Sequence, residues 1–141
     1  MTDISNWFDR GRDAAPLLLR LFVAFVLIYG TYDNVFSQAR MLEFRDFLAA
    51  NRFPRPTASA YISAYAQFVT GLLLLVGLFV RPAAAIVVVN FVVALVMVHR
   101  DTPFNANIAP LAMLVGGLFF VLYGAPNHSL DAWRSSGRSR R

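Results

Sequence analysis

The sequence predicts an all-α integral membrane protein, a four-helix transmembrane bundle with a short interfacial amphipathic helix between spans one and two. Three observations predict it. Hydrophobic residues make up 57% of the 141 and charged residues only 15%, whereas soluble domains sit nearer 45–50% and about 25%. Mean hydropathy is +0.53, which excludes intrinsic disorder. Three long stretches carry no charge at all: Pro56–Val80 (25 residues), Pro82–His99 (18) and Thr102–Leu130 (29), each long enough for one crossing of about 20 residues.

The first span, about 15–36, contains Arg20 and Asp33. Arg20 lies about two turns from its start and Asp33 within a turn of its end, so each can reach a headgroup layer. A signal peptide competes for this segment, but Gly30-Thr31-Tyr32-Asp33 is a poor cleavage site. The next segment, Ser37 to Thr57, reads as an amphipathic helix lying in the interface. Met41, Leu42, Phe44, Phe47 and Leu48 are apolar and Arg40, Glu43, Arg45 and Asp46 polar. Asn51-Arg52-Phe53-Pro54-Arg55-Pro56 ends it. The remaining spans are expected at 57–79, 82–99 and 106–124. Val80-Arg81-Pro82 is so tight a connection that spans two and three must be antiparallel neighbours, with the proline tolerated in a first helical turn. Ser129 is an N-cap for a short helix after span four, and Trp133 an interfacial anchor. The expected organisation is an N-terminal cytoplasmic segment (1–14), a membrane domain (15–133) and a disordered Arg/Ser tail (134–141).

All 13 basic residues are arginines, giving a net charge of +5. They sit between apolar runs and at the C-terminus, a membrane-flanking pattern rather than a nucleic-acid surface. The N-terminus, the second loop and the tail hold seven arginines against five on the other side. Both termini are therefore expected in the cytoplasm, with the chain multi-pass in a bacterial inner membrane.

No cysteine is present. Disulfides, thiolate nucleophiles and Cys-ligated zinc or iron–sulfur centres are thereby excluded. His99 and His128 lie 29 residues apart and make no metal-ligand spacing. No metal or covalent cofactor is expected, and in any redox role a partner or a bound cofactor must carry the electrons. No nucleophile–base pair or paired carboxylates are visible, so the chain is not expected to be catalytic by itself.

The candidate ligand-binding residues are the polar groups inside the apolar runs, which should face protein or water. Arg20 and Asp33 are 13 residues apart on one helix. That places them ~20 Å and about 140° apart, so they cannot pair. Asp33 shares its end of the bundle with His99 and Arg100, and the three form a ligand or ion vestibule or, alternatively, an Asp33–Arg100 salt bridge among wet loop residues. Gln67 and Asn90 fall at mid-span on neighbouring helices. A hydrogen bond between them satisfies both, as interhelical glue or as the polar base of a pocket. Ser59, Ser63, Gln67, Thr70 and Gly71 form one small-and-polar face suited to close helix contact, within the bundle or in a homo-oligomer. Arg20 belongs to the opposite end, with Asp131 as its partner or that of Arg81.

Taken together, the chain resembles the DoxX family of small bacterial membrane proteins. The resemblance runs from about residue 17 to 133. It rests on Leu18-Leu19-Arg20-Leu21 with Gly30, on Phe44…Phe47-Leu48 followed by Pro54 and Pro56, and on Gln67…Gly71-Leu72-Leu73-Leu74-Leu75-Val76-Gly77-Leu78 with Arg81. Ala94…His99 and the ending Gly124…Ser129-Leu130-Asp131-Ala132-Trp133 complete it. The family pattern has a lysine where this chain has Asp33 and a glutamate where it has Gln67. The resemblance implies a membrane subunit linked to quinone-dependent sulfur oxidation, or a partner of soluble antioxidant, oxidoreductase or sulfur-transfer enzymes. A quinone is then the candidate ligand, with Gln67, Asn90 and Arg20 as donors to its carbonyls. The rival reading is a small-molecule or ion permease using Asp33, His99 and Arg100.

Overall fold

The computed structural model describes residues 2–98, 100, 102–125, 129–131 and 133, and side chains from Ala14 onward. Five helices follow one another: α1 (Thr2–Phe36), α2 (Gln38–Ala50), α3 (Pro56–Val76), α4 (Val80–Met97) and α5 (Phe104–Tyr123). Four of them hold stretches long and apolar enough to cross a membrane, Ala14–Phe36, Pro56–Val76, Val80–Met97 and Phe104–Tyr123. The fold is the expected helical membrane bundle, with α2 as the short extra helix.

Helix α1 starts at Thr2, so the segment expected to precede the membrane domain continues the same helix through Pro16. It ends at Ser37, whose N–H reaches back to the Asp33 carbonyl at 2.9 Å. The Ser37 hydroxyl then caps α2 by accepting from Arg40 N–H at 3.5 Å. Helix α2 docks on α3 through Met41 and Leu48, which pack with Ala60 and Ala64. A Gln38–Tyr61 hydrogen bond of 2.9 Å ties its first turn to the same helix.

Span two stops at Val76, three residues short of the expected boundary. Gly77 takes the left-handed conformation (φ +72°), and Leu78 N–H bonds the Leu73 carbonyl at 2.9 Å, the closing bond of a Schellman motif. Span three accordingly begins early, at Val80. Pro82 falls in its first turn, where no intrahelical N–H partner is needed.

Helix α1 packs against α3 and α5, α3 against α4, and α4 against α5, so the four spans close a ring with sequential neighbours. Their shared core is Val23, Leu27, Leu74, Val80, Val87, Met113 and Phe120, with alanines at 24, 83 and 84. Glycines allow the close approaches. A Cβ on Gly71 would lie 2.7 Å from Ile28 Cγ1 and 3.2 Å from the Ala24 carbonyl. Outside the ring, large apolar side chains are exposed, Leu18, Phe22, Phe25 and Val89 among them, as a lipid-facing surface requires.

Candidate functional site

Helices α3 and α4 touch over a smaller stretch than α1 and α3 or α4 and α5, and a groove opens there. It is a cavity of about 490 Å³, in the range of small-molecule sites. Three elements build it. Helix α2 and the following turn supply Phe44, Phe47, Leu48 and Phe53; α3 supplies Ile62, Ser63 and Gln67; α4 supplies Ile86, Val89, Asn90 and Val93. Ile62 and Val89 are 70% and 64% exposed. The mouth of the groove is thus on the outer face of the bundle, toward lipid.

Its polar base is a chain of three side chains. Gln67 Nε2 donates to Ser63 Oγ at 3.1 Å, and Ser63 Oγ donates to Asn90 Oδ1 at 2.8 Å. The expected pairing of Gln67 with Asn90 is therefore made through Ser63. Ser63 and Gln67 are four residues apart, one turn, and so share a face. Two groups stay available: Asn90 Nδ2 and Gln67 Oε1 make no hydrogen bond among the described residues. One is a donor and the other an acceptor, set against apolar walls. Other members of the small-and-polar face are used inside the bundle. Thr70 is buried, and Gly71 lies against α1.

Arg20 is not at this groove. It is 3% exposed, at the end of the bundle where α1 enters its span and the α3–α4 turn lies. Asp131 acts on it through space, but its carboxylate oxygens accept from Phe79 N–H at 3.0 Å and Val80 N–H at 2.9 Å. Asp131 thus caps α4, which has no cap of its own at Phe79. Asp131 N–H also bonds the Gly77 carbonyl at 3.1 Å. Arg81 lies instead against Gly124, where a Cβ would come within 2.9 Å of its Nε. Ser129 does head a helical turn, its carbonyl accepting from Trp133 N–H at 3.1 Å.

At the α2 end, Asp33 and Arg100 are both exposed and no ion pair joins them. Asp33 acts instead on Arg40 of α2, whose guanidinium is held above its ordinary pKa first by its hydrogen bond and ion pair with Glu43 and then by Asp33. His99, the third member of the expected vestibule, lies outside the described residues, as does the tail from 134. Among the described residues no group of three His, Asp or Glu side chains could hold a metal ion.

The DoxX family model matches residues 15–100. That stretch exceeds half of the chain and contains Arg20 and all three walls of the groove. The chain belongs to the DoxX family. No curated protein and no solved structure matches it. Of the two residues expected to depart from the family pattern, Gln67 lies at the base of the groove and Asp33 on the exposed last turn of α1. What the sequence did not identify is the wall formed by α2. Its apolar positions were visible, but which of them turn toward α4 depends on the rotation of α2 about its own axis.

Proposed function

We propose that this protein is a non-catalytic membrane subunit or anchor of a redox complex, and that the α2–α3–α4 groove holds a quinone-like amphipathic ligand. The observation that carries the reading is the Gln67–Ser63–Asn90 chain at the base of an apolar, lipid-facing groove. Asn90 Nδ2 can donate to a ring carbonyl and Gln67 Oε1 can accept from the hydroxyl of the reduced form. The apolar walls suit a ring and an isoprenoid tail, and the lateral mouth admits a ligand already dissolved in the bilayer. A bound quinone supplies two-electron carriage. The chain itself has no cysteine for thiol chemistry. Its part is to bind, orient and exclude water. A soluble oxidoreductase or sulfur-transfer enzyme is the natural partner. The arginine distribution supports placing both termini on the cytoplasmic face of a bacterial inner membrane.

The test is extraction from membranes in mild detergent, followed by native mass spectrometry and quinone analysis. Quinone near one equivalent per chain, lost in Asn90→Leu, or a stoichiometric oxidoreductase, supports the reading. A bare chain with quinone no higher than in a control membrane protein contradicts it.

A further inference from the structure

Among the described residues, the only enclosed side-chain nitrogens or oxygens without a hydrogen-bond partner are Nε and Nη1 of Arg20. An arginine cannot shed its charge to relieve such burial, and an enclosed, unpaired guanidinium is among the costliest groups a fold can carry.

The surroundings are specific. Gly77 leaves the space that the guanidinium fills; a Cβ there would collide with Arg20 and with Ser129 Cβ. Asp131 is the nearby carboxylate, yet it forms no ion pair with Arg20 and spends both oxygens on the start of α4. Arg81 flanks the same turn. At this end of the bundle, therefore, two guanidinium groups face one carboxylate among the side chains described. Nη2 is not among the enclosed, unpartnered atoms, and either hydrogen-bonding edge of the guanidinium contains Nη2. Arg20 is six residues into its span, about 9 Å from the start, a depth from which a long side chain reaches the headgroup layer.

We propose that Arg20 is the receptor of an anion site for a phosphate-type oxyanion, a lipid headgroup phosphate or free inorganic phosphate. Nη2 can donate a charge-assisted hydrogen bond to a phosphate oxygen, and the bound anion adds negative charge where the described side chains set one carboxylate against two guanidinium groups. None of Arg20, Gly77, Ser129 and Asp131 lines the α2–α3–α4 groove, so the site stands or falls independently of quinone binding.

The experiment measures thermal stability and lipid retention of the full chain in nanodiscs of phosphatidylglycerol or phosphatidylcholine with the same acyl chains. A third arm adds inorganic phosphate to the phosphatidylcholine sample. Phosphatidylcholine also carries a phosphate, but its choline competes for it. Greater stability and retained lipid in phosphatidylglycerol identify a lipid source; stabilisation by inorganic phosphate in the third arm identifies the free ion. In either case Arg20→Gln weakens binding about tenfold or more. Should that variant fail to fold, Asp131→Asn decides, because removing the competing charge makes its binding several-fold tighter than that of wild type. Equal stability in all three arms, or affinities unchanged in the variants, overturns the proposal.

Discussion

Ser63 and Asn90 hydrogen-bond across the α3–α4 contact at 2.8 Å, and this bond places three polar side chains at the floor of an apolar groove. In hydrocarbon the same groups would be unsatisfied. The bond therefore holds the two spans in register, while the gap beside it stays open to a ligand.

Replacing Ser63 by alanine removes the hydroxyl that joins Gln67 to Asn90. Interhelical hydrogen bonds of this type contribute about 0.6 kcal/mol each. Ser63→Ala is expected to destabilise by about 1 kcal/mol in a reversible unfolding assay. A double-mutant cycle of Gln67→Ala with Asn90→Ala should show coupling in wild type and none once Ser63 is alanine.

Gly71 sits at a close approach of α1 and α3. The Leu27 Cβ and the Ala24 carbonyl lie 3.1 and 3.2 Å from the position of an added Cβ, and neither is the flexible end of a side chain. Gly71→Val is expected to cost about 1–3 kcal/mol by overpacking, read as a lower unfolding midpoint in detergent.

Asp131 caps α4 from outside that helix. Asp131→Ala leaves two backbone N–H groups without their acceptor and should cost about 0.5–2 kcal/mol. Hydrogen exchange should rise first at Phe79 and Val80.

Met41 is 1% exposed beneath α2. Met41→Ala opens a cavity in the small α2–α3 core, with an expected cost of about 2–4 kcal/mol. The loss should be local, with faster exchange across 38–50 and little change in the four-span ring. Quinone affinity should fall with it, since α2 forms one wall of the groove.

Much of this arrangement is legible in the sequence because membrane depth follows from length. Charge-free runs locate the spans, and depth brings Gln67 level with Asn90. The helix ends moved for local reasons: Gly77 terminates α3 before Phe79, and Asp131 lets α4 begin before Pro82. Rotation is harder to read than depth. Asp33 and Arg100 share a level, yet no ion pair joins them, because Asp33 is on an exposed face near Arg40. Asp131 was a visible partner for Arg20 or Arg81, but a carboxylate close to free helix N–H groups serves those first. Ser63 was recognisable as part of a polar face, and its bridging role needed the crossing of α3 and α4.

The central claim is that the groove binds a quinone-like molecule through Asn90 and Gln67. Its most direct test is a titration of the purified protein in nanodiscs with a short-chain quinone, read as a ligand-dependent rise in unfolding temperature. Saturable stabilisation of wild type, weakened about tenfold in Asn90→Leu and unchanged in Arg20→Gln, is the predicted result. No stabilisation of wild type, or equal stabilisation of wild type and Asn90→Leu, would contradict it.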